Sequence, residues 1–254
     1  MGSWTIEHII TNDGTPTLYS KQFDQHYHSV KEGALNESLS KHVIPALTYH
    51  KDKKELTILD ICFGIGYNTL ATLYYILSQN LNHKVHIYSP EFDLDLIHSI
   101  RNFNYPKEFQ SLLPIIQEIS QNLYYEDEKC KIEIYNGDAR EYLQILYNQN
   151  ILFDIVYQDA FSSEVNRLLW TQEYFAQIKK ILNDDAIVTT YSIATPIRLS
   201  IYNNGFNIYE YKPENSNRIT IALNKKEKDL QYTYIDMELK KQRNKTAIAL
   251  QDKE

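Results

Sequence analysis

Apolar positions change their period along this chain, and the change divides it. Residues 1–50 open with WTIEHII, pass NDG and continue with TLYS, which predicts a hairpin around Asp13 and Gly14. Ser29 and Glu32 then stand three apart, as in a capping box. They precede Ala34, Leu35, Leu39 and Val43, whose spacing fits one face of a helix. From residue 56 short runs of β-branched and aromatic residues take over: TILDI (57–61), KVHIYS (84–89), KIEIY (131–135), FDIVY (153–157) and AIVTTY (186–191). Helical spacing lies between them, near 67–80, 94–120 (broken at Pro106 and Pro114), 139–148 and 172–182. Continuous apolar strands separated by helices predict a mostly parallel sheet covered on both faces. After a short helix near 196–203, FNIYEY (206–211) and RITIAL (218–223) flank the turn-rich KPENSN and predict an antiparallel hairpin.

The expected fold is α/β and Rossmann-like. Its core is a seven-stranded, mostly parallel sheet with a C-terminal antiparallel hairpin, joined by an N-terminal hairpin and helix. Residues 1–50 form that extension and 51–224 the main domain. Residues 225–254 are polar with weak apolar spacing, and are expected as an extended or helical tail lying on the domain.

Composition narrows the possible partners. A chain of 254 residues with 43% hydrophobic and 23% charged positions is globular, and no apolar run approaches the ~18 residues of a membrane span. The N-terminus lacks a basic stretch leading into an apolar one, so no secretion signal is read. Cys62 and Cys130 give neither metal spacing nor a disulfide framework. A cytoplasmic protein without a metal is expected. The net charge of −7 disfavours a broad, sequence-blind grip on nucleic acid, because that affinity comes from neutralised phosphates. Basic residues gather only in KDKK (51–54) and KKQRNK (240–245), which read as solvated surface or as a few point contacts.

In an open parallel sheet, ligands bind beyond the carboxyl ends of the strands, where strand order reverses. After the first predicted strand of the main sheet stands DICFGIGYN (60–68), holding Gly64 and Gly66, two of only seven glycines. Such a turn lets backbone approach a ligand, with the positive end of the next helix behind it, or it is plain structure. The dinucleotide pattern G-x-G-x-x-G fails at Thr69. After the second strand comes Glu91, placed either to accept ribose hydroxyls or simply to face a helix dipole. After the third comes Asp138, which reads as an acceptor for an adenine amino group or as an N-cap. After the fourth comes Asp159, beside Phe161, where burying an unpartnered carboxylate is costly. One such residue at each of four successive strand ends describes a site for an adenosine-containing ligand, with a carboxylate facing the reacting group.

At this point the sequence resembles a class I S-adenosylmethionine-dependent methyltransferase, and more specifically the methyltransferase domain of the MnmC family. DGTPTLYSKQFDQHYHSVKEGALNES (13–38) is similar to the family's N-terminal signature, and DICFGIGYN to its glycine loop. QDAFSSEVNRLLW (158–170) is similar to its strand-four motif, with Asp159, Phe161, Asn166 and Trp170 in place, and TTYSIATPIRLSIYNNGF (189–206) to its strand-five segment, with Arg198. The likeness runs over roughly 12–223. Departures are Cys62 in place of the first loop glycine, Ser163 where proline is common, and ENSNRIT, which keeps only Arg218 of a cationic stretch.

The resemblance implies methylation of 5-aminomethyl-(2-thio)uridine at the tRNA wobble position, with S-adenosyl-L-methionine as donor. The tRNA anticodon loop is the implied partner, together with a separate enzyme supplying the aminomethyl precursor. Gly64, Gly66, Asn68, Glu91, Phe92, Asp138, Ala139 and Asp159 are implied to hold the donor, and Asp159 to be catalytic. Tyr27, His28, Phe161 and Tyr191 are implied to line the substrate mouth. The 30 residues after 224 are expected to be too few for the family's FAD-dependent oxidase domain. The alternatives are an aminopropyltransferase of the spermidine synthase type acting on a small amine, or a non-catalytic scaffold.

Overall fold

The computed structural model describes residues 6–228 and 230–253. The first residues of the WTIEHII run, and Asp229 and Glu254 of the tail, lie outside the described residues. β1 (Ile6–Ile10) and β2 (Pro16–Ser20) form the expected hairpin, and the two-residue β3 (Gln25–His26) adds a third antiparallel strand. Asp13 closes the turn, its Oδ1 accepting from the Thr15 amide at 2.9 Å and the Thr11 hydroxyl at 2.7 Å.

The next helix corrects one expectation. α1 (Ala34–Ser38) has Gly33 as its N-cap and no side-chain cap. Ser29 closes a turn instead, and its own amide donates to the Glu37 carboxylate at 2.5 Å. Glu32 points elsewhere, to the buried ammonium of Lys41, the Ser216 hydroxyl and the Asn217 amide. Lys41 also meets Glu37 at 2.7 Å. This buried ion cluster seats the N-terminal segment on the far hairpin of the main sheet. α1 continues through a π-helical turn (Leu39–Val43) into α2 (Ile44–Tyr49), burying Ala34, Leu35 and Val43 as the spacing predicts.

The main sheet has nine strands among the described residues. In chain order these are β4 (Glu55–Ile61), β5 (Lys84–Glu91), β6 (Tyr124–Glu126), β7 (Cys130–Asn136), β8 (Phe153–Gln158), β9 (Leu182–Thr190), β10 (Asn207–Tyr211), β11 (Ile219–Leu223) and β12 (Thr233–Tyr234). Their spatial order is β12-β10-β11-β9-β8-β4-β5-β7-β6. The five in the middle, β9, β8, β4, β5 and β7, run parallel, β11 and β10 close one side antiparallel, and β6 closes the other. The seven predicted strands are all present. The two additional ones are β6 and β12, edge strands of three and two residues that are too short to show a period.

Helices α3 (Tyr67–Ser78), α4 (Leu94–Ser99), α5 (Leu113–Asn122), α6 (Ala139–Asn148), α7 (Gln172–Lys179) and α8 (Thr195–Tyr202) cover the sheet in two apolar layers. β8 is buried along its whole length, as a central parallel strand must be. Pro114 lies in the first turn of α5, where its missing N–H costs nothing. After β12 the tail forms α9 (Met237–Arg243) and then runs across α7 and α8. Met237 and Ala249 are buried there, and Leu250 exchanges hydrogen bonds with Gln172 and Ser200. Arg198 is buried and bonded to Thr220 and Glu210, so it braces β10 and β11. Arg218 is 63% exposed and pairs with the same Glu210.

Candidate active site

Strand order reverses at β4, which lies between β5 and β8. A crevice outside the carboxyl ends of these strands is the expected ligand site. A cavity of about 430 Å³ opens there, within the ~300–1,000 Å³ of small-molecule clefts.

The β4–α3 loop turns sharply. Cys62, Gly64 and Gly66 all have positive φ, at 66°, 56° and 75°. Gly64 lines the cavity, and its amide donates to Glu91 Oε2 at 2.8 Å. Gly66 does not line it: Gly66 caps α3 from behind, with its amide bonded to the Phe63 carbonyl. Cys62 therefore adopts the left-handed backbone that glycine takes without cost. Its thiol is pushed well above the ordinary range by burial and by Glu91 and Asp159, which rules it out as a ready nucleophile. Cys62→Gly is expected to raise the unfolding free energy by about 1 kcal/mol, read from the denaturant midpoint.

At the end of β5, Glu91 uses one oxygen for the Gly64 amide and the other for the Asp93 amide at 3.0 Å. Burial raises its carboxyl above the ordinary range, and these two amides oppose that. Each oxygen keeps a second lone pair for a ligand hydroxyl. Phe92 beside it lines the cavity and is 54% exposed. At the end of β7, Asp138 Oδ1 caps α6 through the amides of Arg140 and Glu141, and Asp138 and Ala139 both line the wall. The structural and ligand-facing readings of Asp138 thus coexist.

At the end of β8, Asp159 accepts from Asn68 Nδ2 at 2.8 Å through Oδ2. Its Oδ1 lies 3.4 Å from Nε2 of the fully buried His42. Burial raises the Asp159 carboxyl, but His42 and the Asn68 hydrogen bond outweigh it and hold the group below the usual carboxylate range. Trp170 fixes this turn by donating from Nε1 to the Phe161 carbonyl at 2.7 Å. Gln25 clasps it from β3, bonding Ser162 through both its amide atoms.

Over the mouth, Tyr27 packs edge-on to Phe161, with centroids 5.1 Å apart, and Phe23 tilts against the same ring at 5.5 Å. His28 lines the cavity, accepts or donates at Thr17 over 2.9 Å and is kept below its ordinary pKa by burial. Tyr191, like Gly66, is placed differently. It stands behind the turn, donating to the Ala160 carbonyl at 3.0 Å against Trp170, and does not line the cavity.

Beneath the loop, Asp60 accepts from Thr69 at 2.8 Å and from Asn68 at 3.4 Å, so Asn68 bridges two carboxylates. Burial raises Asp60 to about 7, with Asp159 adding to the shift and Thr69 and His42 opposing it. In the unfolded chain such a group titrates near ~4. Folding therefore takes up a proton between those values, and this stability is lost as pH rises through that window. Asp60→Asn is expected to differ little from wild type at pH 4 and to be more stable at pH 8 by up to about 4 kcal/mol. Denaturant midpoints at the two pH values check this.

Asn68 Oδ1 is a buried acceptor without a hydrogen-bond partner, and it lines the cavity. An orphaned acceptor among carboxylates fits a ligand carrying ammonium and hydroxyl donors. Among the described residues no cluster of His, Cys, Asp and Glu is placed to hold a metal, and no helix is long and apolar enough to cross a membrane.

The strand order, with a cleft at its switch point, is that of a Rossmann-like methyltransferase fold. The family described as S-adenosyl-L-methionine-dependent methyltransferase matches residues 102–226. An uncharacterized protein of Methanocaldococcus jannaschii is 30% identical over 222 residues, covering 85% of this chain and 59% of that protein. The tRNA 5-methylaminomethyl-2-thiouridine biosynthesis bifunctional protein MnmC of Aeromonas hydrophila is 28% identical over 239 residues, covering 87% of this chain and 35% of its own length. The crystal structure of MnmC2 from Aquifex aeolicus superposes with a TM-score of 0.83 at 27% identity, over 99% of this chain and 80% of that one. The chain is thus similar over most of its length to S-adenosyl-L-methionine-dependent methyltransferases of the MnmC type. It spans less than two thirds of the length of these two curated relatives.

Sequence reasoning missed Phe23, Asp60 and His42. Asp60 lies within the glycine-loop stretch and could have been flagged as a strand-end acid. A lone histidine inside a helix carries no signal. Of the two basic runs, KDKK is placed away from the cavity: Lys53 pairs with Asp154 and Asp185 beside the starts of β4 and β5.

Proposed function

We propose that this chain methylates the exocyclic amine of 5-aminomethyl-(2-thio)uridine at the wobble position of tRNA, giving the 5-methylaminomethyl form. The observation that carries the reading is the place of Asp159. It lines the same cavity as Glu91 and Asp138 and as the packed rings of Phe23, Tyr27 and Phe161. The part of the bifunctional MnmC relatives in tRNA 5-methylaminomethyl-2-thiouridine biosynthesis and the likeness to MnmC2 support the substrate class.

S-adenosyl-L-methionine supplies an electrophilic methyl group on sulfur. In the cavity Glu91 would accept its ribose hydroxyls, Asp138, Ala139 and Phe92 would line the place of its adenine, and Gly64 would let the backbone approach. Asn68 Oδ1 and Asp159 would take its ammonium. The substrate nitrogen attacks only as a neutral amine, so Asp159 accepts its proton and orients its lone pair; alignment of this kind supplies up to ~7–11 kcal/mol. Phe161 and Tyr27 stack on the base extruded from the anticodon loop, and Tyr191 acts through the turn it holds. His28, neutral at pH 7, closes the wall.

A single splayed-out base with a few phosphate contacts is compatible with an acidic protein. The exposed Lys241, Arg243 and Lys245 of KKQRNK are the proposed contacts. The precursor comes from a separate enzyme, in the cytoplasm where tRNA is modified. Mass spectrometry of nucleosides from tRNA carrying aminomethyluridine tests the assignment. Incubation with the donor should add one methyl group to that nucleoside, and no gain would overturn it.

A further inference from the structure

His42 lies directly under Asp159, outside the cavity. It stands in the π-helical turn Leu39–Val43, a rare conformation that recurs at functional sites. Its ring is fully buried, with Nδ1 2.8 Å from Thr189 Oγ1 on β9 and Nε2 3.4 Å from Asp159 Oδ1. In the tautomer that donates from Nδ1 to Thr189, Nε2 turns its lone pair to the carboxylate. It has no directed hydrogen bond among the described residues. In that tautomer a buried histidine nitrogen and a carboxylate oxygen face each other and form a ready place for a proton.

We propose that His42 is a positioning residue for methyl transfer, fixing Asp159 at the cavity floor and taking over the proton that Asp159 removes from the substrate amine. The inference rests on the methyl-transfer reading above. The amine arrives as an ammonium, and one proton passes from its nitrogen to Asp159 and on to His42 Nε2. The freed lone pair forms the N–C bond to the donor's methyl as the S–C bond breaks and leaves its electron pair on sulfur. The product departs as a secondary ammonium, and the proton on His42 returns through Asp159 to solvent.

The other titratable groups around the ring are Asp60 from β4, His28 from the N-terminal segment and the Tyr157 hydroxyl of β8, whose ring packs edge-on at 5.7 Å. α3 contributes Asn68, which holds the other Asp159 oxygen. The adjacent Lys41 turns away into Glu32 and Glu37. His42 thus faces one Asp159 oxygen at 3.4 Å while Asn68 holds the other at 2.8 Å.

The test uses the intact protein with His42→Gln, which keeps a neutral N–H near Asp159 but cannot store a proton. The single-turnover methylation rate should fall by at least about tenfold, with donor affinity by calorimetry changed less than about twofold. Carboxyl carbon NMR of the ligand-free protein, with Asp159→Asn assigning the signal, should show Asp159 titrating at higher pH in His42→Gln. Thr189→Val is the milder second variant, should His42→Gln fail to fold. It removes the hydroxyl that sets the ring and should lower the rate by about threefold or more at unchanged donor affinity. A rate kept within about twofold in the folded variants, or an Asp159 titration that does not move, overturns the proposal. If the wild type adds no methyl to aminomethyluridine, the substrate assignment falls, and the Asp159 titration still decides whether the pair exists.

Discussion

Asp159→Asn is expected to lower the single-turnover rate of methyl transfer by about a thousandfold, equivalent to ~4 kcal/mol of transition-state stabilisation. The amide has the shape of the carboxylate, and its oxygen can still accept from Asn68, so the turn held by Trp170 and Gln25 should keep its fold. What is lost is the negative charge and the ability to take a proton. An ammonium substrate would then remain protonated in a site whose remaining acids already hold other groups: Glu91 both loop amides, Asp138 the start of α6. Donor affinity should weaken far less than the rate, by under about tenfold, because Glu91, Asp138 and Gly64 remain. Rapid-quench turnover with mass detection, beside calorimetric donor binding, separates the two effects. A variant retaining a tenth of the wild-type rate would remove Asp159 from the chemical step.

Gly66→Ala is expected to destabilise the protein by about 2–4 kcal/mol and to weaken donor binding by about tenfold. Gly66 has φ +75°, a left-handed conformation that strains any residue with a Cβ. A Cβ built there stands 2.7 Å from Cζ of Phe63. That ring is only 4% exposed and itself lines the cavity, so it cannot swing aside without deforming the wall. The backbone strain and the displaced ring add, and the second reaches the ligand site. Chemical denaturation and calorimetry give the two readings; wild-type values in both would show that the loop tolerates the methyl group.

The fold was largely legible because strand and helix periods are local properties of the chain. β4, β5, β7, β8 and β9 each announce themselves by a run of apolar β-formers, and α6 spans the predicted residues. The candidate site was legible through a rule of topology: in a sheet of this kind the strand ends converge, so Gly64, Glu91, Asp138 and Asp159 could be placed together before any contact was known. Ser29 and Glu32 show where such reading fails. Their spacing satisfies a capping box, yet the stronger competitor for Glu32 is Lys41 beside the hairpin loop at Ser216 and Asn217, far away in sequence. A short-range pattern gave way to a buried charge that had to be paired.

By itself, then, the sequence determined which segments are strands and helices, and which residue types stand at the strand ends. Only the tertiary structure decided what lies behind them. It brought His42 and Thr189 under Asp159, made Asn68 the bridge between Asp159 and Asp60, and moved Tyr191 and Gly66 out of the cavity wall. Periodicity tells which face of an element is buried. The partner that each buried polar group finds depends on which distant elements pack against that face, and local spacing carries no record of that.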